Sequence, residues 1–341
     1  MRGTEKEIFG VLWPYLMKEE VTDIDYNGSQ LWITYENGVR KREALILSPA
    51  FINGFSQQIA NGQQKSFNPT EPLLEAETDR YRISILHECI ATNGRSISIR
   101  KSLPKLRYTE EEAVDSGLMD GRICRLLTNC MKAHMNLVFC GEPGVGKTEC
   151  AKFFASKIPE WERIVTIEDN PEWHLKQINP TSDVVEMKVK PEETGRFSYQ
   201  EGIKAALRMN PKWLMVSEAR GKEARQLINA WSTGVSGITT IHTDDVEKIP
   251  ERILFMMGEY NDSPRLEGEV YQHIDVGILL VNREKEGVII RQIDQVAFFY
   301  RKGGCNICYK VWNEGRLLTE ELPEAVLGKM NRYGVMNPWE Q

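Results

Sequence analysis

The residues best suited to chemistry form one glycine-rich segment that fits the pattern G-x-x-x-x-G-K-[ST]. Glycines let backbone N–H groups turn inward around a phosphate, and a helix that starts near Lys147 points the positive end of its dipole at the same anion. Lys147 supplies a cation for the β- and γ-phosphates, and Thr148 supplies a hydroxyl for Mg²⁺. The residues of this segment are Gly141, Glu142, Pro143, Gly144, Val145, Gly146, Lys147 and Thr148.

The stretches on either side of the segment also suit a phosphate-binding loop. An apolar run at 136–140 precedes it, and a helical stretch at 147–157 follows it. This strand–loop–helix context favours a phosphate site over a chance glycine-rich turn. We therefore expect ATP and Mg²⁺ as ligands, and we include Glu149, in the first helical turn, among the residues that line the site.

Carboxylates follow two other apolar runs, at the positions where strands would end. Glu218 comes after the run 213–217, and Glu168 and Asp169 come at the end of the run 163–167. Ligands of open parallel sheets lie at the carboxyl ends of the strands. We expect the strand before Glu218 to lie beside the strand of the phosphate loop, so that Glu218 polarises the attacking water. Glu168 and Asp169 are candidates to hold Mg²⁺ or its waters, and a capped turn is the alternative.

His242 stands at the end of a further apolar run, 237–241, which begins at a glycine. A histidine at this edge of a sheet can donate a hydrogen bond to the γ-phosphate and so sense its presence. Taken alone, a histidine at a strand end is more often structural. Its position after the other three elements favours the functional interpretation.

Residues 1–101 show the pattern of a small α+β domain. An Asn-Gly turn joins the first two strands, and the later strands alternate strictly between apolar and polar residues. The predicted helices cover 1–19 and 48–62, and the predicted strands cover 21–28, 31–35, 81–85 and 95–100.

The remainder of the chain, 113–341, shows a different pattern, and 102–112 is predicted to be a linker. Helical stretches alternate with short apolar runs, which indicates an α/β domain with a mainly parallel sheet. The predicted strands are 136–140, 163–167, 212–216, 238–241, 276–281 and 288–299, and the predicted helices are 147–157, 221–231 and about the last 20 residues.

The overall composition excludes several classes of protein. The net charge of −6 argues against nucleic acid as the main partner, because phosphate backbones require a basic surface. The N-terminus lacks the apolar core of a signal peptide, and the longest uncharged stretch, 226–243, is too polar to span a membrane. We therefore expect a cytoplasmic protein that reaches a membrane only through partners.

The seven cysteines indicate reduced thiols in a reducing compartment. Cys305 and Cys308 form the only C-x-x-C pair, and neither a second pair nor a nearby histidine completes a four-ligand set. No zinc is expected.

The order of these motifs resembles that of the type II/IV secretion ATPases, which are also called traffic ATPases. The resemblance runs over nearly the whole chain and is closest to the branch that serves Tad-type pili and conjugation machines. The four-cysteine zinc insert of the type II secretion and type IV pilus assembly branch is absent. The motifs that carry the resemblance are the glycine-rich loop, T-I-E-D-x-P-E at 166–172, L-R-M-x-P at 207–211, S-E-A-R-G at 217–221 and T-T-I-H-T at 239–243.

The resemblance implies a RecA-like fold for the second domain and a role for each matching residue. Glu168 and Asp169 fall in the acidic box, Glu218 in the Walker B element and His242 in the histidine box. Arginines are implied to flank the nucleotide, with a surface salt bridge as the alternative for each. These are Arg208 and Arg220, together with Arg80, Arg82, Arg95 and Arg100 of the N-terminal domain, among which Arg100 is our choice for a phosphate contact.

The resemblance also implies a homohexameric ring on the cytoplasmic face of a membrane, bound to platform proteins of a secretion or pilus machine. Pilin extension, protein secretion and conjugative transfer are equally compatible with it. One residue departs from the family pattern, because Ser217 stands where glycine usually precedes the Walker B glutamate.

Three functional hypotheses follow. The first is an ATP-driven motor, the second is a nucleotide-gated scaffold with little turnover, which Ser217 keeps open, and the third is a DNA-translocating ATPase. The acidic composition and the lack of a basic, aromatic stripe argue against the third.

Overall fold

The structure is a computed structural model. It describes residues 4–78, 80–190, 197–258, 263–285 and 288–340. By their contacts the residues form two compact units, of which one comprises Met1–Leu103 with Glu284–Ile289 and the other comprises Pro104–Arg283 with Ile290–Gln341. The boundaries expected from the sequence, with a linker at 102–112, stay predictions.

The first unit contains a six-stranded sheet in the order β3-β2-β1-β6-β5-β4, with antiparallel pairing between neighbours. Its strands are β1 (Val21–Tyr26), β2 (Leu31–Tyr35), β3 (Arg40–Glu43), β4 (Leu73–Glu77), β5 (Tyr81–Leu86) and β6 (Ser96–Lys101). Its helices are α1 (Glu5–Phe9), α2 (Trp13–Leu16) and α3 (Pro49–Gly62).

The single helix predicted over 1–19 is wrong in detail, since α1 and α2 are separated by a 3₁₀ turn at Gly10–Leu12. Phe9 packs edge-on against Tyr81, with ring centroids 4.9 Å apart, and also against Phe55 of α3. In β5, Ile83 and Ile85 are buried between more exposed polar residues. This alternation is the reason the sequence predicts that strand.

The second unit contains a nine-stranded sheet in the order β15-β14-β13-β12-β7-β11-β10-β8-β9. Its strands are β7 (Leu137–Cys140), β8 (Ile164–Glu168), β9 (Val184–Lys188), β10 (Trp213–Val216), β11 (Ser236–Ile241), β12 (Val276–Lys285), β13 (Val288–Lys302), β14 (Cys305–Asn313) and β15 (Arg316–Leu317). Its helices are α4 (Glu110–Asp115), α5 (Gly121–Lys132), α6 (Lys147–Ala155), α7 (Leu175–Ile178), α8 (Tyr199–Ala206), α9 (Glu223–Ser232), α10 (Ile249–Met257), α11 (Ser263–His273) and α12 (Glu324–Arg332).

The strands from β12 to β9 in this order pair in parallel, whereas β13–β14 and β14–β15 pair antiparallel. Large apolar clusters cover both faces of the sheet. The predicted fold class, an α+β unit followed by an α/β unit with a mainly parallel sheet, is confirmed.

The predicted position of the strand before Glu218 is wrong. We expected β10 to lie beside β7, but β11 lies between them, with Ile238 opposite both Met215 of β10 and Leu137 of β7. All six residues of β11 are buried, as a central strand requires. Sequence order cannot show this, because parallel strands joined by helices need not be spatial neighbours in chain order.

The edge strands β9 and β15, and β14 beside β15, are not predicted from the sequence, because they lack a clean apolar pattern. In β14, Cys305 lies opposite Lys302 and Cys308 lies opposite Phe299, so the two cysteines are three residues apart and point to opposite faces. In the described ranges, no helix combines the length and the apolar character needed to cross a membrane.

The packing of β11 generates the first prediction. A Cβ atom added at Gly237 would lie 2.2 Å from Nε1 of the buried Trp231 and 2.3 Å from the backbone oxygen of Leu214. Neither neighbour can move without disturbing the sheet, so Gly237→Ala should destabilise the protein by about 3 kcal/mol. The measurement is the urea midpoint of unfolding.

The matched control is Gly328→Ala, because an added Cβ at that exposed position of α12 meets nothing within 4 Å. This change should be neutral or stabilising by about 0.5–1 kcal/mol. Equal midpoints for Gly237→Ala and the wild type would contradict the packing argument.

Candidate functional site

The glycine-rich loop connects β7, whose four residues are all buried, to the N-terminus of α6. Gly141 adopts φ +140°, and a Cβ atom there would lie 2.3 Å from the backbone oxygen of Leu280, so only glycine fits. Gly146, at φ +90°, is the N-cap residue of α6. The loop therefore ends at a helix N-terminus, which is a ready anion site.

Lys147 is the buried cation of this loop, with 6% of its surface exposed. Its Nζ donates hydrogen bonds to the backbone oxygens of Gly141 and Glu142, both at 2.9 Å, and lies 3.2 Å from Nδ1 of His242. Burial lowers the pKa of Lys147 below its ordinary value, and the negative charge of Glu218 opposes that shift. An anion bound at the loop would therefore stabilise the charged ammonium group.

Glu218 lies just beyond the end of β10 and is the centre of an ion-pair network. Its Oε2 accepts a hydrogen bond from Nη2 of Arg220 at 2.7 Å, and its Oε1 lies 2.9 Å from Nε2 of His242. The hydrogen bond to Glu218 raises the pKa of Arg220 further above its ordinary value. The Arg220 side chain is 59% exposed, so it can rotate toward a ligand without leaving a buried position.

His242 follows β11 and joins the loop to the network. Its Nε2 lies 2.9 Å from Oε1 of Glu218, and its Nδ1 lies 3.2 Å from both Nζ of Lys147 and the backbone oxygen of Gly141. In the tautomer that carries its proton on Nε2, Nε2–H donates to Glu218 and Nδ1 accepts from Lys147. The imidazole thus connects Lys147 to Glu218 directly.

Asp169 follows β8 and approaches the same network from the other side. Its Oδ2 lies 3.3 Å from Nη1 of Arg220. Its Oδ1 accepts from the phenol of Tyr199 at 3.1 Å and from the backbone N–H of Asn170 at 2.9 Å. The Tyr199 phenol also lies 3.1 Å from the hydroxyl of Ser217.

Glu168 is adjacent in sequence but has a different environment. Only 3% of its surface is exposed, and its Oε2 accepts hydrogen bonds from the backbone N–H groups of Glu172 and Trp173 at 2.7 and 3.2 Å. Burial raises the pKa of Glu168 to about 8, against the opposing effect of those two N–H groups. The carboxyl group thus stabilises the turn that follows β8, and direct ligation of Mg²⁺ by it stays a prediction.

The other residues expected at the site lie outside this network. Thr148 is half-buried in the first turn of α6, and Glu149 pairs with Lys152 at 2.8 Å. Arg208 is exposed in a 3₁₀ turn at Leu207–Met209, and within the described ranges it makes no hydrogen bond or ion pair with the network.

The four arginines of the first unit are placed as follows. Arg100 pairs with Asp23 at 2.7 Å, Arg95 binds Glu88 through two nitrogens, and Arg80 lies 3.7 Å from Glu5. Arg82 lies in β5 opposite Arg100 of β6.

Two residues near the site are not found by sequence reasoning. Tyr199 begins α8, and the only local signal is the capping box formed by Ser198 and Glu201, which marks a helix start but not a role for the phenol. Arg291 lies in β13, and a Cβ atom added at Gly146 would lie 3.2 Å from its Cδ, so its stem packs against the loop.

The donors present fit a nucleotide with Mg²⁺. Thr148 offers a hydroxyl and Asp169 a carboxylate, and Mg²⁺ prefers oxygen ligands of this kind, completed by phosphates and waters. In the part of the chain that the structure describes, no cluster of three or more histidine, cysteine or acidic side chains forms a self-contained metal cage.

Comparison with known proteins gives a consistent result. Residues 74–334 match the profile of a family described as type II/IV secretion system protein. An uncharacterised protein of Bacillus anthracis is 30% identical over 266 residues, which cover 76% of this chain but only 58% of that protein. The type IV secretion system protein PtlH of Bordetella pertussis is 26% identical over 324 residues, covering 86% of this chain and 94% of that protein.

A solved structure shares the fold. The pilus retraction motor PilT with bound ADP superposes with a TM-score of 0.62 at 16% identity, covering 86% of this chain and 83% of that one.

The burial of Glu168 generates a prediction about pH. A carboxyl group whose folded-state pKa is raised contributes stability below its ordinary pKa, and that stability is lost as the pH rises through about 8. Glu168→Gln keeps an acceptor oxygen for the turn and cannot ionise. Between pH 5 and 8 the free energy of unfolding of the variant should therefore rise relative to that of the wild type by up to about 1.4 kcal/mol per pH unit.

The measurement is the free energy of unfolding against pH, without nucleotide or Mg²⁺. Glu251→Gln, on the exposed surface of α10, is the matched control and should follow the wild type. Parallel curves for Glu168→Gln and the wild type would show that this carboxyl is ionised in the folded protein.

Proposed function

The chain belongs to the type II/IV secretion system protein family, and from that premise we propose that it is a Mg²⁺-dependent ATPase motor for a secretion, conjugation or pilus machine. The observation that carries the proposal is the contact chain from Lys147 through His242 to Glu218 and Arg220. It brings a buried lysine, a carboxylate and two hydrogen-bond donors together at one edge of one sheet. The proposal requires groups of these kinds for phosphate binding, water activation and charge stabilisation.

Binding of ATP begins at the loop. The triphosphate lies against the N-terminus of α6, and Lys147 exchanges its two backbone carbonyl partners for oxygens of the β- and γ-phosphates. Burial disfavours the positive charge of Lys147 in the free protein. A bound anion stabilises that charge and so offsets the cost of desolvation. This makes Lys147 a strong contributor to affinity.

Hydrolysis then requires a free carboxylate near the γ-phosphorus. In the structure Arg220 and His242 each contact one oxygen of the Glu218 carboxylate. The terminal phosphate competes with that carboxylate for both donors. Once they turn to the phosphate, Glu218 accepts a proton from the attacking water as the new P–O bond forms. The bond between the γ-phosphorus and the β,γ-bridging oxygen breaks, and the products are ADP and phosphate.

Arg220 then stabilises the charge that develops on the γ-phosphoryl oxygens. His242 couples the binding of the γ-phosphate to the position of Lys147, which it contacts. Mg²⁺ neutralises phosphate charge when bound, and Thr148 and Asp169 are the residues proposed to hold it or its waters. Glu168 is proposed to act indirectly, because it stabilises the turn that follows β8 and Asp169.

Assembly completes the proposal. We place Arg208 and Arg100 among the cations that meet the nucleotide in a homohexamer, where each site lies at a repeated interface. The ring is proposed to act at the inner face of the cell membrane through platform proteins. The match to a Bordetella type IV secretion system protein over most of both chains supports a machine of this class, and the motif order favours the conjugation and Tad-pilus branch.

Two substitutions separate binding from chemistry. Lys147→Ala removes the buried cation and should abolish detectable ATP binding. Glu218→Gln keeps shape and hydrogen bonding but cannot take a proton, so it should retain ATP binding while turnover falls about 10²- to 10⁴-fold. Phosphate release and nucleotide titration measure the two effects.

Glu251→Gln serves again as the control, since it removes an exposed carboxylate of α10. If wild type and Glu218→Gln both turn over only at background rate, the motor hypothesis is lost and the nucleotide-gated scaffold takes its place. Normal turnover by Lys147→Ala would reject the loop assignment itself.

The proposed ring predicts the mass of the particle. Native mass spectrometry or light scattering should find six copies of the chain with ATP and Glu218→Gln, because this variant holds ATP without consuming it. The particle mass of Lys147→Ala should not increase when ATP is added. A particle that stays monomeric at every nucleotide and protein concentration would contradict assembly as a homohexamer.

A further inference from the structure

We propose that Tyr199 is a positioning residue for ATP hydrolysis, and that Ser217 acts with it to hold Asp169 against Arg220. The inference rests on the proposed ATPase function and concerns a positioning role that none of the five motifs assigns. Its basis is a compact set of hydrogen bonds between the end of β8, the end of β10 and the start of α8.

The Tyr199 phenol makes three contacts with those two strand ends. Its oxygen lies 3.0 Å from the backbone nitrogen of Asp169, 3.1 Å from Asp169 Oδ1 and 3.1 Å from the hydroxyl of Ser217. A phenol has one proton and two lone pairs, and an ionised carboxylate can only accept. The phenol therefore donates to Asp169 Oδ1, and it accepts from the Asp169 N–H and the Ser217 hydroxyl, so all of its capacity is used.

This arrangement fixes the direction of the Asp169 carboxylate. Oδ1 is engaged by Tyr199 and by the N–H of Asn170, which leaves Oδ2 facing Arg220 Nη1 at 3.3 Å. The other end of the same guanidinium holds Glu218 at 2.7 Å. Tyr199 thus acts through Asp169 on the arginine that must leave the glutamate and meet the γ-phosphate.

Ser217 supplies a contact that glycine cannot. Its backbone is already used, because its N–H donates to Ile167 O at 3.0 Å and its carbonyl accepts from the Thr240 hydroxyl at 2.8 Å. The side-chain hydroxyl points instead to Tyr199. The departure from the usual glycine is therefore explained by a hydrogen-bonded pair, Tyr199 with Ser217, that joins the β10 end to the β8 end.

A purely structural role for Tyr199 makes a different prediction. Its ring packs against the apolar cluster on one face of the sheet, so removal of the whole side chain would loosen α8. Tyr199→Phe keeps the ring and removes only the hydroxyl. A structural role predicts an unchanged rate in this variant, whereas a positioning role predicts a loss of rate.

The experiment measures steady-state ATP hydrolysis by the full chain. Tyr199→Phe should lower kcat about tenfold, the effect of one lost hydrogen bond to a charged group, with KM for ATP within about twofold in a protein that stays folded at the assay temperature. Tyr271→Phe is the matched control, since it removes the hydroxyl of another half-buried tyrosine in the same unit, on α11. It should leave kcat unchanged.

Ser217 provides the second arm, which does not depend on the tyrosine ring. Ser217→Ala should lower kcat about threefold, and Tyr199→Phe with Ser217→Ala should be no slower than Tyr199→Phe alone, because both changes break one network. Additive losses would overturn the proposal, as would unchanged kcat in either single variant or a change confined to KM.

The positioning role of Tyr199 and the proposed ATPase function can be rejected by different results. A wild-type protein that hydrolyses ATP while Tyr199→Phe and Ser217→Ala match it rejects only the positioning role. A wild-type protein with no turnover above Glu218→Gln rejects the ATPase function, and the positioning role falls with it.

Discussion

The charge on Glu218 is the interaction on which the candidate site depends. It faces Arg220 and His242 directly, and it favours the charged form of Lys147 at the loop. Without a carboxylate at this position, three basic side chains would crowd the same edge of the sheet, with Asp169, 3.3 Å from Arg220, as the remaining carboxylate of the network. Glu218 is therefore held in contact with two basic side chains, for which the proposed triphosphate would compete.

The motifs and most of the framework could be predicted from the sequence because they depend on local patterns. The strand before the loop, the helix after it and the alternating strands of the first unit each carry their own periodicity. Sheet order depends on long-range pairing, and this explains why the strand before Glu218 was expected beside β7 when β11 lies between them. The edge strands were missed for a related reason, since partial exposure removes the apolar signal.

At the site, residue types indicated which strand ends carry chemistry, but not which side chains touch. Asp169 and Arg220 are 51 positions apart in the chain, and no spacing rule predicts the link from Asp169 through Arg220 to Glu218. The environment of Glu168 could not be predicted from the sequence either, because its burial depends on the turn at Glu172 and Trp173. Two adjacent acids that look equivalent in sequence thus differ in burial and in partners, and only Asp169 contacts the network.

The position of β11 has a mechanical consequence. This strand is hydrogen-bonded to the loop strand on one side and to the glutamate strand on the other, and its own end carries the histidine that touches both functional side chains. The three strands form one hydrogen-bonded plate, so the backbone sets the distance between the glycine-rich loop and the position of Glu218. A rearrangement of the side chains at this edge requires their rotation above the plate, or contact with groups brought to it from outside.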